Sequence, residues 1–132
     1  MSSITKEMLE KLEAVGFSME WYKPYANGPG SVFYADNERY TIGGRWDGTP
    51  LSEKDQEIAA KGIWLPRIHE LLMWFDYNEI SFKIEFSAEN RYFYGTAVDK
   101  NGTTFNGSGP DFEVCLYKLI FKILKNGRKA VK

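Results

Sequence analysis

Apolar and polar positions alternate most regularly in the stretch EISFKIEF, residues 79–86. Every second position from Ile80 to Phe86 is apolar, and the positions between them are polar and include Lys83 and Glu85. Successive side chains of a strand point to opposite faces of the sheet. The pattern therefore predicts an antiparallel strand with one buried face and one face in solvent.

Other stretches predict further strands, because they are rich in β-branched and aromatic residues and are bounded by turn sequences. Asp36-Asn37 marks the turn of a hairpin, and DKNG at 99–102 marks a second tight turn. The predicted strands are residues 17–21, the hairpin arms 32–35 and 39–42, and the segments 91–98 and 103–108.

Four segments repeat apolar residues at intervals of three and four, which predicts helices. The first is capped by Thr5 or Ser3 and ends at Gly16, and the second begins after Ser52 and ends at Gly62. A hydroxyl accepts hydrogen bonds from the free N–H groups of a first helical turn, and glycine readily takes the left-handed conformation that ends a helix.

The two remaining helices lie on either side of the predicted strands in the second half of the chain. One covers WLPRIHELLMWF, with Pro66 in its first turn. The other opens at Pro110 and ends at Asn126-Gly127, and a frayed basic tail is expected over 126–132. The predicted core face of the first of these helices is Ile68, Leu71, Leu72 and Phe75.

These elements run in the order α-β-β-β-α-α-β-β-β-α over residues 1–132. Strands that follow one another directly favour antiparallel pairing, because parallel neighbours need a long crossover connection. We therefore expect one compact α+β domain with helices packed on one face of antiparallel sheet.

The composition excludes several classes of protein. There are 17 basic and 18 acidic residues, a formal net charge of −1, which does not favour a general binder of polyanions. Cys115 is the single cysteine, so no disulfide can form within the chain. No apolar run approaches the roughly 20 residues of a membrane span, and the N-terminus lacks an apolar leader segment. We expect a cytoplasmic protein that does not contact membranes.

Catalytic and metal-binding patterns are not evident. With one histidine, His69, and one cysteine, the chain cannot form a zinc site of the usual composition, and no serine–histidine–acid set stands out. The position of Cys115 beside the apolar stripe of the last helix favours a buried packing role, and His69 is expected to be a surface or packed helix residue. We expect no enzymatic activity, no metal and no cofactor.

The candidate binding residues combine arginines, a tryptophan and a glycine-rich segment. GGRWDGTPL, residues 43–51, lies between a predicted strand and a predicted helix, and GSGPDF, residues 107–112, is expected to be a loop that leads into a helix N-terminus. Guanidinium groups bind phosphates, rings stack on bases, and the free N–H groups of a helix N-terminus bind anions. The candidate ligand contacts are Arg45, Trp46, Arg67, Arg91, Gly107, Ser108 and Gly109.

The same features permit other interpretations. Trp46 can pack against a sheet, and GSGPDF can be an ordinary strand-to-helix turn. Arginines and aromatic residues equally suit a protein interface or a plain surface. The basic positions from Lys118 to Lys132 suit a solvated helix face, and no nucleic-acid-binding motif accompanies them. Self-association at Arg45 and Trp46 would form a ligand pocket between subunits.

The second half of the chain, residues 62–124, contains KGIWLP, a three-stranded aromatic meander, FNGSGPDFE and CLYKLIFKIL. In these features it resembles small uncharacterised phage and prophage proteins of the "ABA sandwich" type. The resemblance implies an α-β-β-β-α arrangement and a mobile-element origin, and it supplies no functional residues. Many small phage proteins bind host factors or sequester host defence signals, so the resemblance also implies a binding role.

The sequence therefore favours a non-enzymatic binding protein of phage or prophage type. The first hypothesis is sequestration of a small anionic, nucleotide-like ligand that acts in host defence. The alternative is inhibition of a host protein through an exposed aromatic face or a sheet edge. A nucleic-acid-binding accessory role is less favoured, and a homo-oligomer is compatible with either hypothesis.

Overall fold

The computed structural model describes residues 4–18, 30–36, 38–42 and 52–130, without the side chains of residues 128–130. Within these ranges the chain forms four helices and two three-stranded antiparallel sheets, which confirms the α+β class. The helices are α1 (Lys6–Ala14), α2 (Glu53–Lys61), α3 (Ile68–Tyr77) and α4 (Phe112–Ala130). The strands are β1 (Val32–Ala35), β2 (Glu38–Thr41), β3 (Ile63–Leu65), β4 (Ser81–Ser87), β5 (Tyr92–Val98) and β6 (Thr104–Gly109).

The chain divides into two compact units. The smaller unit is Ser18–Arg67, and the larger unit combines Met1–Phe17 with Ile68–Lys132. The single domain expected from the sequence stays a prediction.

The smaller unit is built on the predicted hairpin. Its sheet has the order β2-β1-β3, and α2 packs against β1. Phe33, Ile42 and Ile58 form its buried apolar cluster. The predicted cap of α2 is confirmed, because the Ser52 hydroxyl accepts a hydrogen bond of 3.1 Å from the backbone N–H of Asp55.

The larger unit contains the aromatic meander, in the order β4-β5-β6. Helix α4 packs on β5 and β6, and two glycines allow its close approach. A Cβ atom on Gly95 would lie 2.8 Å from Sγ of Cys115, and one on Gly107 would lie 3.2 Å from Leu119. A Cβ atom would clash at Gly95 and would press on Leu119 at Gly107, so α4 packs closely against the sheet backbone at both positions.

Helix α1 has both of its predicted ends. The Thr5 hydroxyl accepts a hydrogen bond from the backbone N–H of Met8, and Gly16 has a φ of 95°. The N–H of Phe17 donates to the carbonyl of Leu12 across this turn. Such a bond satisfies a carbonyl that the last helical turn leaves free.

Two predictions about element boundaries and one about the core are wrong. Asn126-Gly127 does not end the last helix, because α4 continues to Ala130 and Gly127 does not take a positive φ. Trp64 and Leu65 do not begin a helix but belong to β3, whose pairing with β1 outweighs the local helical pattern. Ile68 is 42% exposed and is not a core residue.

Candidate functional site

The sheet of the larger unit, β4-β5-β6, is called the larger sheet. It has one face that α4 covers and one face that carries polar side chains. On this second face, called the outer face here, strand register aligns residues of all three strands in two rows. Lys83 pairs with Thr96, and Thr96 pairs with Asn106. In the next row Glu85 pairs with Tyr94, and Tyr94 pairs with Ser108. Opposed residues in such rows lie close enough to contact a common ligand.

These two rows line a cavity of about 540 Å³. Gly95, Gly107 and Lys122 complete its lining. Ligand sites generally have volumes of about 300–1,000 Å³, so the cavity has the size of a small-molecule site. The full lining is Lys83, Glu85, Tyr94, Gly95, Thr96, Asn106, Gly107, Ser108 and Lys122.

Hydrogen bonds fix part of this surface. The hydroxyl of Thr96 donates to Oδ1 of Asn106 over 3.2 Å. Because the amide oxygen accepts this bond, the Nδ2 group is the part of the Asn106 side chain that can donate to a ligand. The ammonium group of Lys122 donates to the backbone carbonyl of Asn106, which brings a cation from α4 to the rim of the cavity.

Charge and aromatic surface also meet here. Two ammonium groups, of Lys83 and Lys122, and one carboxylate, of Glu85, are among the lining side chains, which leaves a local positive excess. The ring of Tyr94 is 46% exposed and lies 5.7 Å from the ring of Tyr92. Its hydroxyl oxygen accepts a hydrogen bond of 3.3 Å from Nδ2 of Asn90. This bond and the neighbouring ring hold Tyr94 in place as an exposed aromatic surface.

The structure corrects the geometry predicted for Gly107, Ser108 and Gly109. These residues do not form a loop at a helix N-terminus, because all three belong to β6 and pair with β5. The N-terminus of α4 is instead capped by Asp111, whose carboxylate accepts a hydrogen bond of 2.8 Å from the N–H of Val114. A carboxylate at this position competes with any bound anion. Gly107 and Ser108 nonetheless line the cavity, and Gly109 is not part of its lining.

Of the predicted arginines, Arg67 and Arg91 fall in the part of the chain that the structure describes, and neither is among the lining residues of this cavity. Arg91 is exposed in the turn between β4 and β5, with a φ of 53°. Arg67 belongs to the smaller unit, where a Cβ atom on Gly30 would lie 2.9 Å from its Nη1 atom. Arg45 and Trp46 lie outside the described residues. The binding roles of all seven predicted contacts stay predictions.

Sequence reasoning did not select seven of the nine lining residues as ligand contacts. Five of them occupy alternate positions in predicted strands, so the pattern of period two already placed each on one face of its strand. What the pattern lacked was the register that aligns the three strands. The seven residues are Lys83, Glu85, Tyr94, Gly95, Thr96, Asn106 and Lys122.

A second cavity of about 780 Å³ lies elsewhere in the larger unit. Its lining includes Trp74, Tyr77 and Asn101, and it also includes Glu79 and Lys100, whose charged groups lie 3.9 Å apart. Glu79 offsets the charge of Lys100, the cation of this cavity. This cavity is therefore less suited to an anionic ligand than the cavity on the outer face.

Two side-chain hydrogen bonds join described elements of the smaller unit. The hydroxyl of Tyr40 donates a hydrogen bond of 2.9 Å to Oδ1 of the buried Asp55, which ties β2 to α2. This hydrogen bond, with burial and the charge of Asp55, raises the pKa of Tyr40. The Nε group of Arg39 donates to the hydroxyl of Tyr34 over 3.0 Å.

The two residues considered for catalysis, His69 and Cys115, are not among the lining residues of the outer-face cavity. His69 is exposed on α3. Cys115 is fully buried, as expected; burial raises the pKa of its thiol, and the charge of Lys118 opposes this rise. Among the residues that the structure describes, no three histidine, cysteine or acidic side chains are grouped to hold a metal ion. Nor does any helix in the described ranges combine the length and apolar character needed to cross a bilayer.

Comparisons of the chain with protein-family models, with curated proteins and with solved structures gave no match.

Proposed function

We propose that this chain is a non-enzymatic binding protein of phage or prophage type that captures a small anionic, nucleotide-like ligand on the outer face of its larger sheet. The observation that supports the proposal is the pair of cross-strand rows. They bring an ammonium group, an amide, hydroxyl groups, an exposed tyrosine ring and one carboxylate to one cavity of about 540 Å³.

The chemistry of these groups matches the parts of a nucleotide. Lys83 and Lys122 attract phosphate groups, and Nδ2 of Asn106 and the Ser108 hydroxyl donate hydrogen bonds to phosphate or sugar oxygens. The ring of Tyr94 offers a stacking surface for a base. A ligand that has both an anionic part and a planar part uses all of these groups at once.

Capture without turnover is the function that the lining favours. Glu85 is the one carboxylate among the described residues of the cavity, whereas hydrolysis by paired carboxylates needs two acids. The single histidine and the single cysteine are not among its lining residues. A phage protein that binds a host signalling nucleotide in this way would lower the free concentration of the signal.

The first test is a thermal-melt screen with linear nucleotides, cyclic nucleotides and ADP-ribose. A ligand at one hundred times its Kd adds about 2.7 kcal/mol to stability, which corresponds to several degrees in a domain of this size. The compounds that raise the Tm are then recovered and checked for cleavage, because intact recovery supports capture and turnover contradicts it.

Two substitutions on β5 and β6 locate the site. Tyr94→Ala removes the stacking ring and Asn106→Ala removes the amide donor, so each should weaken binding about tenfold. The matched controls are Tyr77→Ala and Asn101→Ala, which lie at the second cavity and should bind as the unmodified chain does. Unchanged affinity in both outer-face variants, or a loss confined to the two controls, would contradict the site. No Tm shift with any nucleotide would remove the ligand hypothesis and favour the alternative, a host-protein inhibitor.

A further inference from the structure

Strand β4 has a free edge. Among the residues that the structure describes, it pairs with β5 on one side and with no strand on the other. Its seven residues, SFKIEFS, pair with β5 without interruption from Ser81 to Ser87. An edge without a bulge or proline presents N–H and C=O groups that can pair with another strand.

The opposite edge of the same sheet is protected. Lys122 of α4 donates a hydrogen bond to the backbone carbonyl of Asn106 on β6. A lysine on an edge strand's backbone hinders the approach of a second strand. Within the described part of the chain the two edges of this sheet therefore differ, and β4 is the edge open to pairing.

The sequence of β4 is complementary to itself. In an antiparallel pair of two β4 strands centred on Ile84, each Lys83 lies opposite a Glu85. The same register places Ile84 opposite its own copy and Phe82 opposite Phe86. Opposite charges and apolar pairs at facing positions each stabilise an antiparallel ladder.

The neighbouring registers lack this complementarity. Shifting one strand by a single residue would put the apolar face of one copy beside the polar face of the other. Centring the pair on Lys83 would oppose two lysines, and centring it on Glu85 would oppose two glutamates. Like charges at facing positions are destabilising, so the register at Ile84 is favoured over its alternatives.

The apolar side of β4 also provides surface that a partner would cover. Phe86 is 56% exposed although it belongs to the face that carries Phe82 and Ile84, which are half-buried. Its ring lies 4.9 Å from that of Phe93 on β5, so it is held beside the free edge. In the Ile84-centred pair this exposed ring meets Phe82 of the second copy.

We propose that two copies of this chain associate by antiparallel pairing of β4 with β4 about a two-fold axis at Ile84, which joins their larger sheets into one of six strands. The interface is isologous, because the same surface is used by both copies. This inference goes beyond ligand capture and does not depend on it. The two outer faces would lie side by side on the joined sheet.

Reversing the charge of Lys83 or of Glu85 tests the proposed register of the β4–β4 pair. Lys83→Glu leaves two glutamates on each strand and Glu85→Lys leaves two lysines, so each variant alone opposes like charges in both pairs of the dimer. We expect each to weaken dimerisation about tenfold or more at low salt. When the two variants are mixed, the two glutamates of one copy lie opposite the two lysines of the other, so a heterodimer should form. The double variant K83E/E85K should recover the homodimer.

The measurement is molar mass by sedimentation equilibrium over a range of protein concentrations, with circular dichroism to establish folding. Lys11→Glu, which makes the same change of charge on α1, is the control and should leave the dimer unchanged. Three results would overturn the proposal: a monomer at every concentration, an unchanged dimerisation affinity in both single variants, or a mixture of the two variants that fails to associate. If the mixed variants form a dimer, the loss of dimerisation in each single variant cannot be explained by misfolding. Since the ligand test uses Tyr94 and Asn106 on strands β5 and β6, the two proposals can fail separately.

Discussion

The ammonium group of Lys122 donates a hydrogen bond to the backbone carbonyl oxygen of Asn106, across 16 residues of sequence. The bond links α4 to β6, and it places a cation beside the outer face of the larger sheet. One contact thus contributes to stability, to protection of a sheet edge and to the charge of the candidate site.

Replacing Lys122 tests the structural part of this contact. Lys122→Ala should lower the free energy of unfolding by about 0.5–1 kcal/mol, because the carbonyl of Asn106 loses a charged donor at an exposed position. Urea denaturation measures the change. Lys118→Ala, at another exposed lysine of α4, is the control, and an equal effect of the two substitutions would show that the bond contributes nothing.

Gly95 should not tolerate a side chain. Gly95→Ala places a Cβ atom 2.8 Å from Sγ of Cys115 and 3.0 Å from Leu119, so we expect a loss of about 1–3 kcal/mol in unfolding free energy. Cys115→Ala removes the sulfur atom and should recover part of this loss. A double-mutant cycle should therefore give a favourable coupling of at least about 0.5 kcal/mol between the two sites. Strict additivity would contradict the close approach of α4 to β5.

The change in stability on replacing Gly127 distinguishes a continuous α4 from a helix that ends at Asn126-Gly127. Within a continuous α4, Gly127→Ala meets no atom within 4 Å and should stabilise the protein by up to about 1 kcal/mol. At the left-handed end of a helix, the same substitution would destabilise it. Thermal or urea unfolding of the variant decides between the two structures. A destabilised variant would contradict the continuous α4 and support the helix end at Asn126-Gly127 that the sequence predicts.

Stability should decline in alkaline solution, in part through Cys115. Burial raises the pKa of the folded thiol above its ordinary value of 9.0, with a smaller opposing effect of Lys118. The unfolded thiol therefore ionises first as the pH rises. Its contribution to stability is complete below the unfolded pKa and is lost as the pH passes through the raised folded pKa. Burial acts in the same direction on the pKa of Tyr117.

The variant Cys115→Ala isolates this contribution. Unfolding free energies of the two proteins, measured from pH 7 to about 10.5, should converge as the pH rises above the ordinary pKa of a thiol. A constant difference over the whole range would mean that the thiol ionises equally in the folded and unfolded chains. Because Tyr40 and Tyr117 remain in both proteins, their own alkaline titration cancels in the difference.

The sequence predicts those parts of the fold that depend on local chemistry. Strand β4 follows from its alternation, and the ends of α1 follow from Thr5 and Gly16, because period, capping and glycine conformation act over a few residues. Strand β3 does not follow from the sequence, because its three residues pair with β1, about thirty positions earlier, and no local signal encodes that pairing.

The candidate site is predictable only in part, for the same reason. Alternation places Lys83 on the solvent face of its strand, but it cannot show that Thr96 and Asn106 lie beside it. Tertiary register brings the three together. The glycine-rich segment suggests a loop because glycine commonly marks turns, whereas Gly107 lies in a strand and its lack of a side chain admits Leu119 of α4.

The most direct test of the central claim is an NMR titration of the ¹⁵N-labelled chain with ADP-ribose and with a cyclic dinucleotide. If the outer face binds such ligands, at least one of them should shift the amide resonances of Lys83, Tyr94, Thr96, Asn106 and Ser108 in a saturable way, and raising the salt concentration should weaken the effect. Shifts confined to residues outside this set would contradict the assignment of the outer face as a nucleotide-binding surface. The absence of any shift with both compounds would contradict it as well.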